Sequence, residues 1–354
     1  MGEAKGNGLE GVNAADTLIS HVDGERGHLV IAGADVERLA IDSTFEQAAA
    51  RVLAAGRNLP EQPISFAQAR AAAWEVLPRI GDALDAKDGM DALRAAMAHL
   101  WSTGDDQVDA LTAIGAAPVF VAAWSRKHRG LAPIPPSTAD HATDYLRMTI
   151  GADPNPVAAK ALGAYLTTVI DHGMNASTFT ARVVASTASD MISSVVAAVG
   201  ALKGPLHGGA PGPVLDMLDA IATPANAEAW LLSELAAGRR IMGMGHRIYR
   251  VRDPRAAVLE VAVKPLASPR LELARAVETA AAKILREKKP DRPMAANVEF
   301  YTAVLLDAVG LPREQFSPTF GVGRVAGWCA HVLEQRRVGK LIRPASTYVG
   351  PMPS

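Results

Sequence analysis

A mainly α-helical chain is what this sequence predicts, and three observations carry the prediction. Alanine and leucine dominate its apolar residues, aromatic residues make up only 5%, and runs of β-branched residues are few. Alanine loses no side-chain entropy on entering a helix, and β-branched residues are the ones that prefer strands. The one fair strand is short, residues 28–31, after turn signals at Gly24 and Gly27. Helices follow over 45–55, ended by Gly56, and over 66–80, where apolar residues recur at three- and four-residue spacing. Residues 90–101, 108–125 and 139–148 read the same way, with a proline loop at 133–136 between the last two. Residues 156–172 open on Pro156, which suits a first helical turn. The stretch 180–202 reads as one long helix lined with small residues (Ala185, Ser186, Ser189, Ser193), as in a core or at a subunit seam.

The second half is more punctuated. A glycine- and proline-rich loop at 204–212 precedes helices near 214–221 and 225–237, the latter capped by Gly238. A second glycine loop, 242–245, leads into a basic stretch, 247–255. Helices are predicted over 271–288, stopped by Lys288, Lys289 and Pro290; over 297–309, capped by Gly310; and over 320–335. Residues 341–354 read as an extended, proline-punctuated tail. The helical insert bracketed by the glycine loops predicts a smaller lobe, 208–315, hinged on a larger one made of 1–207 and 316–354.

Bulk properties narrow the function. With 354 residues, 49% hydrophobic and 21% charged, the chain can bury a large core. Thirty-six basic residues against 37 acidic ones give a net charge of −1. Nucleic-acid or membrane-surface binders usually carry a basic excess, so neither partner is expected, and anion binding must come from local placement. Cys329 is the only cysteine, which excludes an intrachain disulfide and any multi-cysteine metal site. The first 25 residues carry Glu3, Glu10, Asp16 and Asp23 with no apolar core, unlike a signal peptide. The most apolar stretch, near 191–202, is too short to cross a bilayer, and the cytoplasm is the expected compartment.

Four clusters hold residues able to do chemistry. DHGMNASTF contains His172, Asn175 and Ser177; KGPLHGGAPG sets His207 among glycines. MGMGHRIYRVRDPR combines His246, Arg247, Arg250, Arg252, Asp253 and Arg255, and NVEF puts Glu299 in a first helical turn. Taken singly, each has an ordinary explanation: a loop histidine, a glutamate complementing a helix dipole, a solvated charge run, and surface arginines at Arg324 and Arg343. Neither glycine loop has the spacing of a dinucleotide or P-loop motif. Together they say more. Histidines titrate near neutral pH, arginines hold carboxylates in pairs of hydrogen bonds, and glycines let a ligand approach the backbone. That set suits proton transfer on an anionic substrate.

DHGMNASTFTARVVAST, ALKGPLHGGA, MGMGHRIYRVRDPRA, NVEFYTAVLLDAVGLP and GRVAGWCAHVLEQ with LIRPASTYVGP beyond it resemble the citrate synthase family, in its order and approximate spacing. GLEGVNAADTLISHVDGERG resembles the family's opening segment, so the resemblance covers nearly the whole chain. It implies a two-domain helical fold, large and small, with the active site in the cleft. It also implies condensation of acetyl-CoA with oxaloacetate, then hydrolysis of citryl-CoA to citrate and CoA. His172, Arg255, Arg324 and, from the partner subunit of a homodimer, Arg343 would hold oxaloacetate. His246 would polarise its carbonyl, His207 would hydrogen-bond the thioester oxygen, and Glu299 would be the base. CoA would lie against Ile241, Met242, Gly243, Met244 and Gly245, with Arg250 near its phosphates. No cofactor is implied beyond acetyl-CoA as co-substrate. Hexameric, NADH-inhibited members of the family carry extra N-terminal sequence, so a dimer without that control is expected.

Two departures stand out. The family pattern has aspartate where this chain has Glu299, one methylene longer, and a base misplaced by about 1 Å can cost on the order of 100-fold in rate. A backbone set back to compensate is expected. Ala32 stands where relatives often have arginine, so one implied phosphate contact has no cation to make it. The residues handling oxaloacetate would be the same in a 2-methylcitrate synthase, which uses propionyl-CoA; one methylene in an apolar pocket is worth only about 1–3 kcal/mol. A catalytically weak paralogue that senses CoA or oxaloacetate is the reading from another class.

Overall fold

In the computed structural model, residues 9, 11–207, 211–288 and 294–353 are described. Among them are fifteen α-helices and one small sheet. The sheet is an antiparallel meander of β1 (Ser20–Asp23), β2 (His28–Ile31) and β3 (Ala34–Asp35), in register Ser20 to Ile31 and Val30 to Asp35. Leu29 and Ile31 point inward at 0% exposure while His28 faces solvent, so alternation along β2 sets which face docks on the helices.

The helices are α1 (Val36–Asp42), α2 (Phe45–Arg57), α3 (Ala67–Val76), α4 (Gly89–Met97), α5 (Asp106–His128), α6 (His141–Ile150), α7 (Pro156–Thr168) and α8 (Ala176–Ser186). After them come α9 (Met191–Leu202), α10 (Pro211–Ile221), α11 (Ala227–Ala236), α12 (Pro254–Val263), α13 (Arg270–Lys288), α14 (Val298–Ala308) and α15 (Phe316–Val338). Most start on a side chain that accepts from their own first amides: Thr44 with Gln47 as a reciprocal capping box on α2, then Asp88, Asp105, Asp140, Asn155, Asn175, Asp190, Asp253 and Asn297.

The core is built around α5 and α15, both apolar around most of their circumference. α15 is buried without a break from Pro318 to Gln335, Cys329 included. At Gly327 a Cβ would lie 2.1 Å from the carbonyl oxygen of Ile170, so only glycine lets α15 lie this close to the segment leading to His172. Within the core, Arg182 donates to Glu334 and His331, and His331 donates from Nε2 to Asp171, 3.2 Å away. Ser20 of β1 reaches the same Asp171 at 2.5 Å, which ties the sheet to the helical body.

The sequence-predicted helices are observed with shifted ends, and one expectation is corrected. The single helix over 180–202 is two: Thr187 closes α8, Ala188 takes φ 65°, and Asp190 caps α9 by accepting from Ser193 at 2.8 Å. Among the described residues α5 is the one helix with the span and hydropathy to cross a bilayer, and 83% of its most apolar window is buried inside the molecule, as in a core helix; 191–202 is apolar but too short, as expected. The basic stretch at 247–255, where no helix is predicted, ends in Asp253 and Pro254, which open α12. The stop at Lys289 and Pro290 and the middle of the first glycine loop lie outside the described residues.

Candidate active site

His172 sits in the link between α7 and α8, 7% exposed, where Asn175 begins the second helix by accepting from Thr178 at 3.1 Å. His246 follows the glycine loop. Its ring stands 5.5 Å from that of His172, edge to face at 77°. The backbone amides of Ile248 and Tyr249 both donate to His246 Nδ1, at 3.0 and 3.1 Å. A ring nitrogen that accepts two N–H groups carries the lone pair, so the proton of the neutral ring is on Nε2. Arg255 Nη2 approaches that nitrogen at 3.4 Å. Two donors therefore stand side by side, which an anionic oxygen placed between them would bridge.

His207 lies at the foot of the first glycine loop, and its Nε2 accepts from the Ser177 amide at 3.2 Å and lies 2.8 Å from the Ser177 hydroxyl. Its proton is then on Nδ1. Trp328 Nε1 donates to the same hydroxyl at 3.1 Å, so α15 braces the serine that orients the histidine. Burial lowers all three histidines: His207 and His246 to about 4, and His172 well below its usual range. Arg324 adds to the effect on His207, and Arg255 to that on His246 and His172. At neutral pH the three rings are uncharged hydrogen-bonding groups.

The positive charge belongs to two buried arginines. Arg255, 3% exposed, donates from Nε and Nη2 to both oxygens of Asp253, at 3.0 and 2.8 Å. Arg324, 1% exposed, donates from Nε to the carbonyl of Val169 at 2.6 Å and lies 4.7 Å above the Phe320 ring. Burial pulls Arg324 down to about 10, which leaves it charged at neutral pH. Two fixed guanidinium groups among neutral rings favour a small dianion.

Glu299 completes the cluster. Its amide donates to the capping Asn297 side chain at 3.0 Å, and its Oε2 is buried without a hydrogen-bond partner. Burial raises its carboxyl to about 7, with Asp253 pushing the same way and Arg255 and Arg324 opposing. A carboxyl balanced near neutrality with a free oxygen is able to accept a proton. Asp253 also accepts from the Val298 amide at 3.2 Å, so one carboxylate positions both Arg255 and the helix that carries Glu299.

The second glycine loop is stitched to the strand-like segment before α14. Gly245 donates to the Ala295 carbonyl at 2.8 Å, Asn297 donates to the Gly243 carbonyl at 2.9 Å, and Met244 bridges to Ala296. Gly243 holds φ 72°, and a Cβ there would lie 2.9 Å from Phe300 Cβ. Ile241 is buried, while Met242 and Met244 are half-buried. Arg250 stands apart from the histidines with its side chain 48% exposed, 4.0 Å from Glu25. Its amide donates to Gly24, which docks the β1–β2 turn on this segment. Ala32 occupies a left-handed turn at φ 45°.

His172, His207, His246, Arg255, Arg324 and Glu299 thus come together. Arg343 does not: it is exposed on the tail beyond α15, with no hydrogen bond or ion pair to the cluster among the described residues. Sequence reasoning assigned no role to Tyr249, whose hydroxyl meets His172 Nε2 at 3.1 Å, although it lies inside a quoted motif. It likewise gave none to the orienting residues Asp253, Ser177 and Asn297. An Asp before Pro and an Asn before an apolar run are the cap signals that mark two of them.

A family profile described as "Citrate synthase, C-terminal domain" matches residues 8–345. The chain belongs to the citrate synthase family. The citrate synthase of Deinococcus radiodurans is 35% identical over 97% of this chain and 95% of its own. The crystal structure of citrate synthase from Thermotoga maritima superposes with a TM-score of 0.83 at 32% identity, covering 98% of this chain and 96% of that one. The citrate synthase of Thermoplasma acidophilum, solved as a ternary complex with carboxymethyl coenzyme A and oxaloacetate, gives 0.87 at 27% identity with 98% and 96% covered. The mainly helical citrate synthase fold and a condensing enzyme are thereby established.

Proposed function

We propose that this citrate synthase family member is an acyltransferase that condenses acetyl-CoA with oxaloacetate, then hydrolyses citryl-CoA to citrate and CoA. The observation that carries the reading is the pairing of a partnerless buried carboxylate raised to about 7, Glu299, with three neutral histidines, two of which, His207 and His246, have their proton positions fixed by backbone amides. Arg255 and Arg324 hold the two carboxylates of oxaloacetate beside His172. His246 Nε2–H hydrogen-bonds the ketone oxygen and makes its carbon electrophilic. His207 Nδ1–H hydrogen-bonds the thioester oxygen while Glu299 removes a proton from the acetyl methyl. The enolate carbon attacks the ketone carbon, the C–C bond forms as the C=O π bond breaks, and the ketone oxygen takes up one proton, balancing the one Glu299 removed, to become the hydroxyl of citryl-CoA. Water then cleaves the thioester and releases the CoA thiol. A methyl beside a thioester is a very weak acid in water, so stabilising the enolate oxygen supplies much of the rate. Binding of oxaloacetate and a CoA analogue by the Thermoplasma relative supports both substrates.

The same reading sets CoA against Ile241–Gly245 with Arg250 near its phosphates and takes no resident cofactor. It makes 208–315 the small lobe that closes on 1–207 and 316–354. It assigns the active form to a cytoplasmic homodimer in which each tail supplies Arg343 to its partner; the exposure of Arg343 on its own chain supports this. Free-thiol release from acetyl-CoA and from propionyl-CoA, each with oxaloacetate, is the test. Preference for acetyl-CoA is expected. Preference for propionyl-CoA would make the chain a 2-methylcitrate synthase, and release with neither would replace catalysis by sensing.

A further inference from the structure

Tyr249 meets three residues of the site: His172, His246 and Arg255. It is 3% exposed, with its ring 4.7 Å from His246 and 5.5 Å from His172, and the Arg255 guanidinium lies 6.0 Å from its centroid. Its backbone amide is one of the two that donate to His246 Nδ1, at 3.1 Å. Its hydroxyl lies 3.1 Å from His172 Nε2, and among the described residues neither atom has another hydrogen-bond partner. A phenol has one proton, and when buried that proton needs an acceptor. If His172 carried its hydrogen on Nε2, the phenol O–H would have none. The consistent arrangement is that Tyr249 donates to the Nε2 lone pair and His172 is protonated on Nδ1. Burial keeps the imidazole neutral and pushes the phenol up, so neither group escapes the constraint by ionising.

We propose that Tyr249 is a positioning residue that sets the tautomers of two of the three site histidines. Its amide keeps His246 in the Nε2–H form, and its hydroxyl keeps His172 in the Nδ1–H form. The consequence is chemical. A ring in the wrong tautomer turns a lone pair where the substrate needs a donor, or a hydrogen where it needs an acceptor. The effect on turnover rests on the reading of these rings as oxaloacetate ligands, but the proton positions belong to the substrate-free protein and can be measured without it.

Solid-state nitrogen-15 NMR of the histidine-labelled full-length protein reads the tautomers directly, with His172→Gln and His246→Gln used to assign the signals. The wild type should show Nδ1–H at His172 and Nε2–H at His246. Tyr249→Phe keeps the ring and removes only the hydroxyl. It should turn the His172 signals into a tautomer mixture, leave those of His246 in place, and raise KM for oxaloacetate by between about 2- and 10-fold with a smaller change in kcat. Tyr249→Leu, which also removes the ring, should lower the melting temperature further than Tyr249→Phe does. Nε2–H at His172 in the wild type would overturn the proposal, as would Tyr249→Phe with unchanged His172 signals and unchanged KM. A His172 tautomer shift in a protein that does not bind oxaloacetate would support tautomer control while removing the substrate reading.

Discussion

At the scale of single residues, Glu299 joins rate and stability in opposite senses. Its folded value of about 7 lies above the ordinary 4.5, so the fold prefers the protonated acid. That stability is fully present below about pH 4.5 and is lost as pH rises through about 7, because ionising the buried group costs about 1.4 kcal/mol per pKa unit. The base is active only when ionised, so kcat/KM for acetyl-CoA should climb with pH through about 7; a flat profile between pH 5 and 9 would remove Glu299 from the base role. Glu299→Gln should abolish thiol release, leave oxaloacetate binding in isothermal calorimetry, and stabilise the protein at pH 8 by about one to three kcal/mol. The identities of these residues were legible: histidines among glycines, arginines in a run, and a glutamate one methylene longer than the family pattern. Their protonation was not. The tautomers of His207 and His246 depend on backbone amides of Ser177, Ile248 and Tyr249, which any residue but proline would supply.

At the scale of elements, the loop Ile241–Gly245 and α14, which carries Glu299, behave as one unit, since Gly243 and Gly245 are bonded to the segment that ends in Asn297. Gly243→Ala forces a Cβ to within 2.9 Å of Phe300 at φ 72°. It should cost about 1–3 kcal/mol by chemical denaturation and raise KM for acetyl-CoA more than that for oxaloacetate. Equal effects on both substrates would separate the loop from the CoA site. The elements themselves were readable where apolar spacing was long and capped, as in α5, α13 and α14. They were missed where signals conflict. α12 begins inside a basic run whose charge pattern hid the Asp253–Pro254 start, and the division of α8 from α9 rests on Ala188 in a left-handed turn, which nothing but the Asp190 cap announces.

At the scale of the molecule, a buried ion pair holds distant parts of the chain together. Arg182 and Glu334, 0% and 1% exposed, bind α8 to α15, and Glu334 also accepts from the Leu18 amide at 2.7 Å. Arg182→Met leaves a buried carboxylate short of its cation and should cost about 3–5 kcal/mol in urea denaturation; the added change Glu334→Gln should recover part of it. Across the subunits, Arg343→Ala and Arg255→Ala should each be nearly inactive alone. Mixed and allowed to exchange, they should regain thiol release through heterodimers that hold one intact site; exchange without recovery would place Arg343 outside the shared site.

The sole thiol of this chain sits at 0% exposure in α15, with burial pushing it far above its ordinary ionisation range. A disulfide reagent reacts with thiolate, so Cys329 is silent while the core is closed. The reagent that follows CoA release during turnover therefore needs no correction for folded enzyme. With substrates withheld, the same reagent becomes a clock: each molecule is marked once, when its core first opens, and the rate of marking reports opening of α15 from its packing.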